Sequence, residues 1–187
     1  MIHWPIAVKD VGDGKFERIK IPMYKIWAQM EALVDKGLVK SIGVSNFNVQ
    51  LIWDMLSYAR IPPAINEVEL HPLCSQPKLL KFLDQQNIKA IAYCPIGRGA
   101  DTSRCPNIFA TEAVKACMEK HGKTGAQILL SWGLQRGTIV IPKSNSMDRL
   151  EENIGSMTFK LSEDDMKSID AIDEGFRICD NNPCRLH

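Results

Sequence analysis

The chain has 187 residues, 45% of them hydrophobic, enough for one ordinary domain with a buried core, and 1–187 is expected to fold as a single domain. Its 23 basic and 22 acidic side chains leave a net charge of +1, which offers no field for nucleic acid or an anionic membrane surface. No apolar run approaches the ~20 residues that span a bilayer, and the N-terminus lacks the charged and apolar regions of a secretory signal. The six cysteines, at 74, 94, 105, 117, 179 and 184, contain no Cys-x-x-Cys pair, which argues against a zinc site or a disulfide frame. Reduced thiols in a cytoplasmic protein without a metal are expected, with Cys179 and Cys184 the only pair near enough in sequence for a local bridge.

The chain opens Met1-Ile2-His3-Trp4-Pro5, which reads as the outer end of a buried strand. An apolar stripe at Ile26, Met30, Leu33 and Val34 predicts a helix that ends at Gly37, a C-cap residue. Ser41–Ser45 (SIGVS) predicts a short buried strand. Leu51, Ile52, Met55, Leu56 and Ala59 then predict a helix closed by Pro62-Pro63. Ile65–Glu69 (INEVE) is the next strand, and Leu79, Leu80 and Leu83 follow Pro77, which suits a first helical turn. Ala90–Cys94 (AIAYC) is a strand, followed by a surface loop over Gly97–Asn107. Two helices are predicted over Phe109–His121 and Thr124–Gln135, then a strand over Thr138–Pro142 (TIVIP) and a short helix over Asp148–Ile154. A last helix starts at Ser162, with Asp165 at the capping-box position, and the tail from Gly175 has no periodicity.

Apolar strands alternating with amphipathic helices mean a parallel sheet covered by helices. Two layouts fit: an open doubly wound sheet, or part of an eight-stranded barrel. The first strand–helix turn of a dinucleotide-binding doubly wound sheet carries Gly-x-Gly-x-x-Gly, which this chain lacks, and the barrel is favoured. In a parallel barrel, functional residues gather just beyond the C-terminal ends of the strands. Those positions are His3-Trp4, Ser45-Asn46, Glu67–His71, Tyr93–Gly97 and Lys143–Asn145. Each has a plain structural alternative. Ser45-Asn46 suits a helix cap, Tyr93 a core aromatic, Lys143-Ser144 an exposed loop and His71-Pro72 a turn. Their joint placement on one rim is the functional signal.

The stretches IHWP, GLVKSIGVSNF, PPAINEVELHP, AIAYCPIGRG and IVIPKSNSMDRLEEN run in order from Met1 to about Asp173. They resemble successive blocks of the aldo-keto reductases, closest to the aldose reductase group. The resemblance implies an α/β fold of the (β/α)8 TIM-barrel type, of which this chain holds about five of eight strand–helix units. It also implies NADP(H) as cofactor, reduction of small aldehydes or ketones to alcohols, and a monomeric full-length form. By the same resemblance His3 is the catalytic histidine that orients the substrate carbonyl, and Trp4 is a wall of the substrate pocket. Ser45, Asn46 and Glu67 take the nicotinamide carboxamide, and Tyr93 stacks on the nicotinamide ring. Cys94, Pro95, Ile96 and Gly97 lie under the pyrophosphate. Lys143, Ser144, Asn145 and Arg149 hold the 2′-phosphate, and Glu152 and Asn153 the adenine. Elementary chemistry agrees at the phosphate, because a dianion wants two cations with hydroxyl and backbone donors at a helix start.

The chain departs from the family pattern at three places. Glu67 stands where Gln is usual, exchanging an amide donor for a carboxylate, and Cys94 stands where Ser is usual. The segment Pro5–Pro22 is shorter than in aldose reductase relatives. Of the family's catalytic Asp, Tyr, Lys and His, only His3 has a match here, and Tyr24-Lys25 and Tyr58 are not substitutes. The expectation is therefore an N-terminally truncated NADPH-dependent reductase whose proton donor lies outside these residues. The alternative is a non-catalytic, nucleotide-binding remnant with a regulatory or binding role. Either form is expected to expose unpaired strand edges through which copies self-associate.

Overall fold

A computed structural model describes residues 1–98 and 105–179. The chain divides into two units, one built from Met1–Val68 and Lys78–Lys89, the other from Glu69–Pro77 with 90–98 and 105–179. The predicted loop at Gly97–Asn107 falls largely on residues outside the described set, as does Cys184.

In the first unit the N-terminal segment does run as the end of a strand. Ile2 bridges in parallel to Val44, with Ile2 N–H donating to Gly43 O at 2.9 Å and Ser45 N–H donating to Ile2 O at 2.7 Å. Two strands that the sequence reading missed follow, β1 (Ala7–Asp10) and β2 (Phe16–Ile19), paired antiparallel with Ala7 opposite Ile19 and Asp10 opposite Phe16. Their turn is made by Gly12, Asp13 and Gly14, all at positive φ, and Asp10 Oδ1 accepts from Gly12 N–H at 2.8 Å. Asp-Gly chemistry of this kind is what lets a chain reverse in a few residues.

Helix α1 (Met23–Asp35) turns Trp27 and Glu31 inward. Trp27 Nε1 donates to Ile61 O at 3.0 Å, and Glu31 Oε1 accepts from Ile61 N–H at 2.8 Å. Both backbone groups of Ile61 are thereby satisfied just before Pro62-Pro63, two residues that have no N–H to offer. The helix closes as predicted at Gly37 (φ 67), where Gly37 N–H reaches Val34 O and Leu38 N–H reaches Leu33 O, the paired bonds of a Schellman end. Strand β3 (Val44–Ser45) is shorter than predicted and runs parallel to β4 (Ile65–Glu69), with Val44 opposite Asn66 and Ser45 opposite Glu67. Gly43 leads into β3 because a Cβ there would sit 2.3 Å from Ile65 Cγ1. Helix α2 (Val49–Tyr58) is capped by Asn48, and α3 (Pro77–Gln85) has proline at its first position, as its sequence requires. Val44, Phe47, Ile52, Met55 and Leu83 are fully or nearly fully buried in this unit.

In the second unit β5 (Lys89–Tyr93) pairs in parallel with β6 (Ile139–Val140), Ile91 opposite Ile139 and Ala92 opposite Val140. The predicted strand over Thr138–Pro142 is shortened because Thr138 closes the preceding helix instead, its N–H and Oγ1 both donating to Gly133 O. The predicted helix over Phe109–His121 is interrupted. A 3-10 turn (Ile108–Ala110) ends at Thr111, whose extended ψ of 146° starts α4 (Glu112–His121) afresh. Helix α5 (Gly125–Gln135) begins with a full capping box between Thr124 and Gln127 and buries Ile128, Leu129, Leu130 and Trp132. Helix α6 (Met147–Ile154) and a final helix α7 (Glu163–Asp170) follow, the latter with the predicted Ser162–Asp165 capping box. From Gly175 to Cys179 the chain is irregular, as read from the sequence. Among the described residues, no helix is long and apolar enough to cross a membrane.

Candidate functional site

The rim of the first unit is a knot of hydrogen bonds at the ends of β3 and β4. Ser45 is buried and its Oγ donates to Glu67 O at 2.8 Å. Asn46 adopts a left-handed φ of 63°, a conformation that asparagine tolerates better than most residues. From there its N–H donates to Glu67 O at 2.9 Å, and its Nδ2 donates to His3 O at 2.9 Å and to Ser45 Oγ at 3.1 Å. Both amide hydrogens of Asn46 and the hydroxyl hydrogen of Ser45 are thus directed at protein acceptors. The helix cap that Ser45-Asn46 might have supplied comes from Asn48 instead, whose Oδ1 accepts from Leu51 N–H at 2.9 Å. One layer further in, buried Asn66 holds Phe47 by both of its backbone groups. His3 is exposed and stacks against half-buried Trp4 with ring centroids 5.8 Å apart.

The second unit carries two separate clusters. At the end of β5, Tyr93 is half-buried, and burial first, then the Glu69 carboxylate, pushes its phenol pKa well above the ordinary range. Cys94 takes a left-handed φ of 51° and opens a turn closed by Gly97 N–H donating to Cys94 O at 2.8 Å, with Pro95 buried and Ile96 half-buried within it. Gly97 (φ 61) is packed so closely that a Cβ would meet Ile108 Cδ1 at 2.7 Å. Behind this turn lies a charged group within the Glu67–His71 stretch, whose Glu69 the sequence reading placed on the rim without a role of its own. Glu69 is fully buried and bonds His71 Nε2 at 3.0 Å, while its carboxylate also accepts from the N–H groups of Ile178 and Cys179. Burial, the largest influence, raises the Glu69 pKa, but the His71 bond and the two backbone donors outweigh it and hold the carboxyl below its ordinary value. His71 is therefore more than a turn residue: it anchors the carboxylate that ties down the C-terminal segment. A glutamate at the end of a strand amid buried neighbours was the available signal.

The other cluster lies between β6 and α6. Lys143, Asn145 and Arg149 are exposed and Ser144 is half-buried. Ser144 Oγ donates to Ser146 O and accepts from Ser146 N–H, both at 3.1 Å, which folds this segment onto the helix start. Ser146, the N-cap residue of α6, makes no side-chain cap bond. Neither Lys143 nor Arg149 forms an ion pair among the described residues. Glu152 and Asn153 are half-buried near the end of α6. The Glu152 carboxylate accepts from Thr124 Oγ1, and its carbonyl accepts from Gln127 Nε2 at 3.0 Å, so α6 is bound to the cap of α5. Among the described residues, no group of His, Cys, Asp and Glu is placed to hold a metal ion.

Residues 1–174 match the family described as "Aldo/keto reductase family". The chain belongs to the aldo-keto reductase family. It is 41% identical over 191 residues to aldose reductase B of Dictyostelium discoideum, covering 96% of this chain and 60% of that protein. To a probable NAD(P)H-dependent D-xylose reductase of Arthroderma otae it is 39% identical over 202 residues, covering 98% and 61%. The solved structure of aldose reductase from Giardia lamblia superimposes with a TM-score of 0.85 at 36% identity, covering 95% of this chain and 62% of that one. These findings bear out the family and the α/β fold of (β/α)8 type that the sequence implied. The chain spans about 60% of the length of the curated relatives it matches.

Proposed function

We propose that this aldo-keto reductase chain binds NADPH and serves the reduction of small aldehydes or ketones, sugars among them, to alcohols. The observation that carries the reading is the segment between β6 and α6. Lys143 and Arg149, which have no carboxylate partner among the described residues, flank a helix start whose N-cap residue, Ser146, makes no side-chain cap bond. A dianionic 2′-phosphate is the chemistry such a set accepts: charge-assisted bonds from Lys143 and Arg149, with hydroxyl and amide donors from Ser144 and Asn145. Relatives named as NAD(P)H-dependent reductases support a nicotinamide dinucleotide as the cofactor.

The remaining roles follow from residue types and positions. Tyr93 offers a half-buried aromatic face for the nicotinamide, and the turn Cys94, Pro95, Ile96 and Gly97 brings backbone close to a pyrophosphate. Glu152 and Asn153 face the adenine from the far end of α6, Glu152 with one carboxylate oxygen engaged by Thr124. In the first unit, Ser45 and Asn46 have spent their hydrogens on Glu67 O, His3 O and each other. They meet a carboxamide as acceptors. Glu67 likewise accepts from the carboxamide NH2. His3 orients the substrate carbonyl, and Trp4, stacked on it, walls the substrate side. The cofactor, when bound, supplies the hydride.

The test is calorimetric titration of the chain and its Arg149→Ala variant with NADPH and with NADH. Loss of one charge-assisted contact should weaken NADPH by ~1–3 kcal/mol and leave NADH almost unchanged. Equal losses for the two cofactors would refute the 2′-phosphate assignment.

A further inference from the structure

We propose that Cys94 and Cys179 form a dithiol site that hydrogen peroxide converts to an intramolecular disulfide, joining the end of β5 to the C-terminal segment. The two Sγ atoms lie 3.3 Å apart, 85 residues apart in sequence. That is only about 1 Å beyond the S–S bonding distance of ~2.05 Å. Both backbones are held in place independently of the sulfurs. Cys94 is fixed at φ 51° at the head of the turn that Gly97 closes. Cys179 is fixed by its N–H, which reaches the buried Glu69 carboxylate at 3.2 and 3.3 Å, with the Ile178 N–H beside it on the same group. Ile178 also packs on the turn, since a Cβ at Gly97 would lie 3.3 Å from Ile178 Cδ1. The anchored carboxylate and the packed turn therefore present the two thiols to each other. Both cysteines are half-buried, whereas Cys74, Cys105 and Cys117 are buried. The sulfur pair exists because Cys stands at 94, where the family pattern has Ser.

The chemistry balances with peroxide as the oxidant. The thiolate of one cysteine of the pair attacks one peroxide oxygen, so that an S–O bond forms, the O–O bond breaks and hydroxide leaves. The other sulfur of the pair, 3.3 Å away, then attacks the sulfenic acid. An S–S bond forms, the S–O bond breaks and a second hydroxide leaves. The two thiol protons and two hydroxides give two waters, the sulfur pair loses two electrons and the peroxide gains them. Excess small thiol reverses the step by exchange. Burial first, then its bond to Cys179, raises the Cys94 thiol above its ordinary range. Linkage should therefore be slow at neutral pH and quicken as the pH rises. This inference does not depend on the NADPH reading.

The test exposes the whole chain to hydrogen peroxide at low protein concentration, blocks remaining thiols with N-ethylmaleimide and maps the peptides by mass spectrometry. The expected product is a monomer in which the Cys94 and Cys179 peptides are joined, two hydrogens lighter than the reduced pair and separated again by dithiothreitol. The linkage should vanish in Cys94→Ser and in Cys179→Ser, and should lose its preference when oxidation is run in guanidinium chloride. A reversible rise in the thermal unfolding midpoint should accompany it, because the bond closes a long loop. The mapping reads the unsubstituted chain, so it stands even if a variant folds poorly. Cys179 joined to Cys184, a disulfide between two chains, both thiols recovered alkylated, or equal linkage in denaturant would each overturn the proposal.

Discussion

At the end of β3 the hydrogens of the Ser45 and Asn46 side chains all go to protein acceptors, while around the start of α6 Lys143 and Arg149 point no charge at any carboxylate of the described residues. The first region is finished by its own bonds, so its residues hold strand ends in register as well as lining a rim. The second is left incomplete, with two exposed cations near a helix start that has no side-chain cap. Substitutions in the first should therefore register mainly as stability, and in the second mainly as ligand affinity. A polar residue at a strand end can serve either purpose, and only its bonds tell which.

The largest effect expected from this contrast is at Asn66. Asn66→Ala strips both hydrogen bonds from buried Phe47 and leaves its N–H and C=O without partners. Urea denaturation should show a loss of about 2–4 kcal/mol, against a change within about 0.5 kcal/mol for Ser146→Ala. Similar losses for the two would break the comparison.

Acid should separate the units next. Burial raises the pKa of Glu69, Asp165 and Asp173, yet their bonds outweigh it and hold all three below the ordinary carboxylate range. The bonds come to Glu69 from His71 and backbone N–H groups, to Asp165 from Lys120 and His121, and to Asp173 from Ser75. A depressed folded pKa gives stability that is present above the unfolded value and lost as the pH falls through the folded one. All three groups sit in the second unit. Hydrogen exchange measured at decreasing pH should show amides of 163–179 losing protection before those of 42–67. The reverse order would contradict this account.

Two smaller effects sharpen the ligand side. Lys143→Ala should weaken NADPH by about 1 kcal/mol with no change in unfolding midpoint, since the side chain is exposed and has no ion pair among the described residues. A comparable loss for NADH would place the lysine elsewhere on the cofactor. Glu67→Gln should preserve or slightly tighten NADPH binding by restoring an amide donor for the carboxamide oxygen. A clear loss of affinity would mean that the carboxylate itself has a role.

Much of this was legible in the sequence, for physical reasons that differ by residue. The Ile65–Glu69 strand, the Gly37 helix end and the Ser162–Asp165 box were all read correctly because each depends on local chemistry. The β1–β2 hairpin was missed because its strands are mostly exposed and lack an apolar face to read, although Gly12-Asp13-Gly14 marked the turn. The break at Thr111 went unseen because the apolar spacing of Phe109–His121 continues across it, while Thr111, whose N–H and Oγ1 both donate to Ile108 O, ends the first turn. The capture of the Ile178 and Cys179 backbone by Glu69 and the meeting of Cys94 with Cys179 could not be read at all. Both depend on where residues 178 and 179 return in space, more than 80 positions from Cys94 and 100 from Glu69. The rim residues were named by resemblance, but that Ser45 and Asn46 bind each other and their neighbours is a matter of geometry alone.

The central claim, that the segment before α6 holds a 2′-phosphate, is tested most directly on the phosphate itself. Phosphorus NMR of NADPH titrated with the chain resolves the 2′-phosphate from the pyrophosphate and follows its second ionisation, near pH 6 when free. Binding to Lys143 and Arg149 should shift that resonance and lower the ionisation so that the phosphate stays dianionic into more acid solution, and Arg149→Ala should undo most of the change. A 2′-phosphate that titrates as in free NADPH while the pyrophosphate signals move would contradict the account.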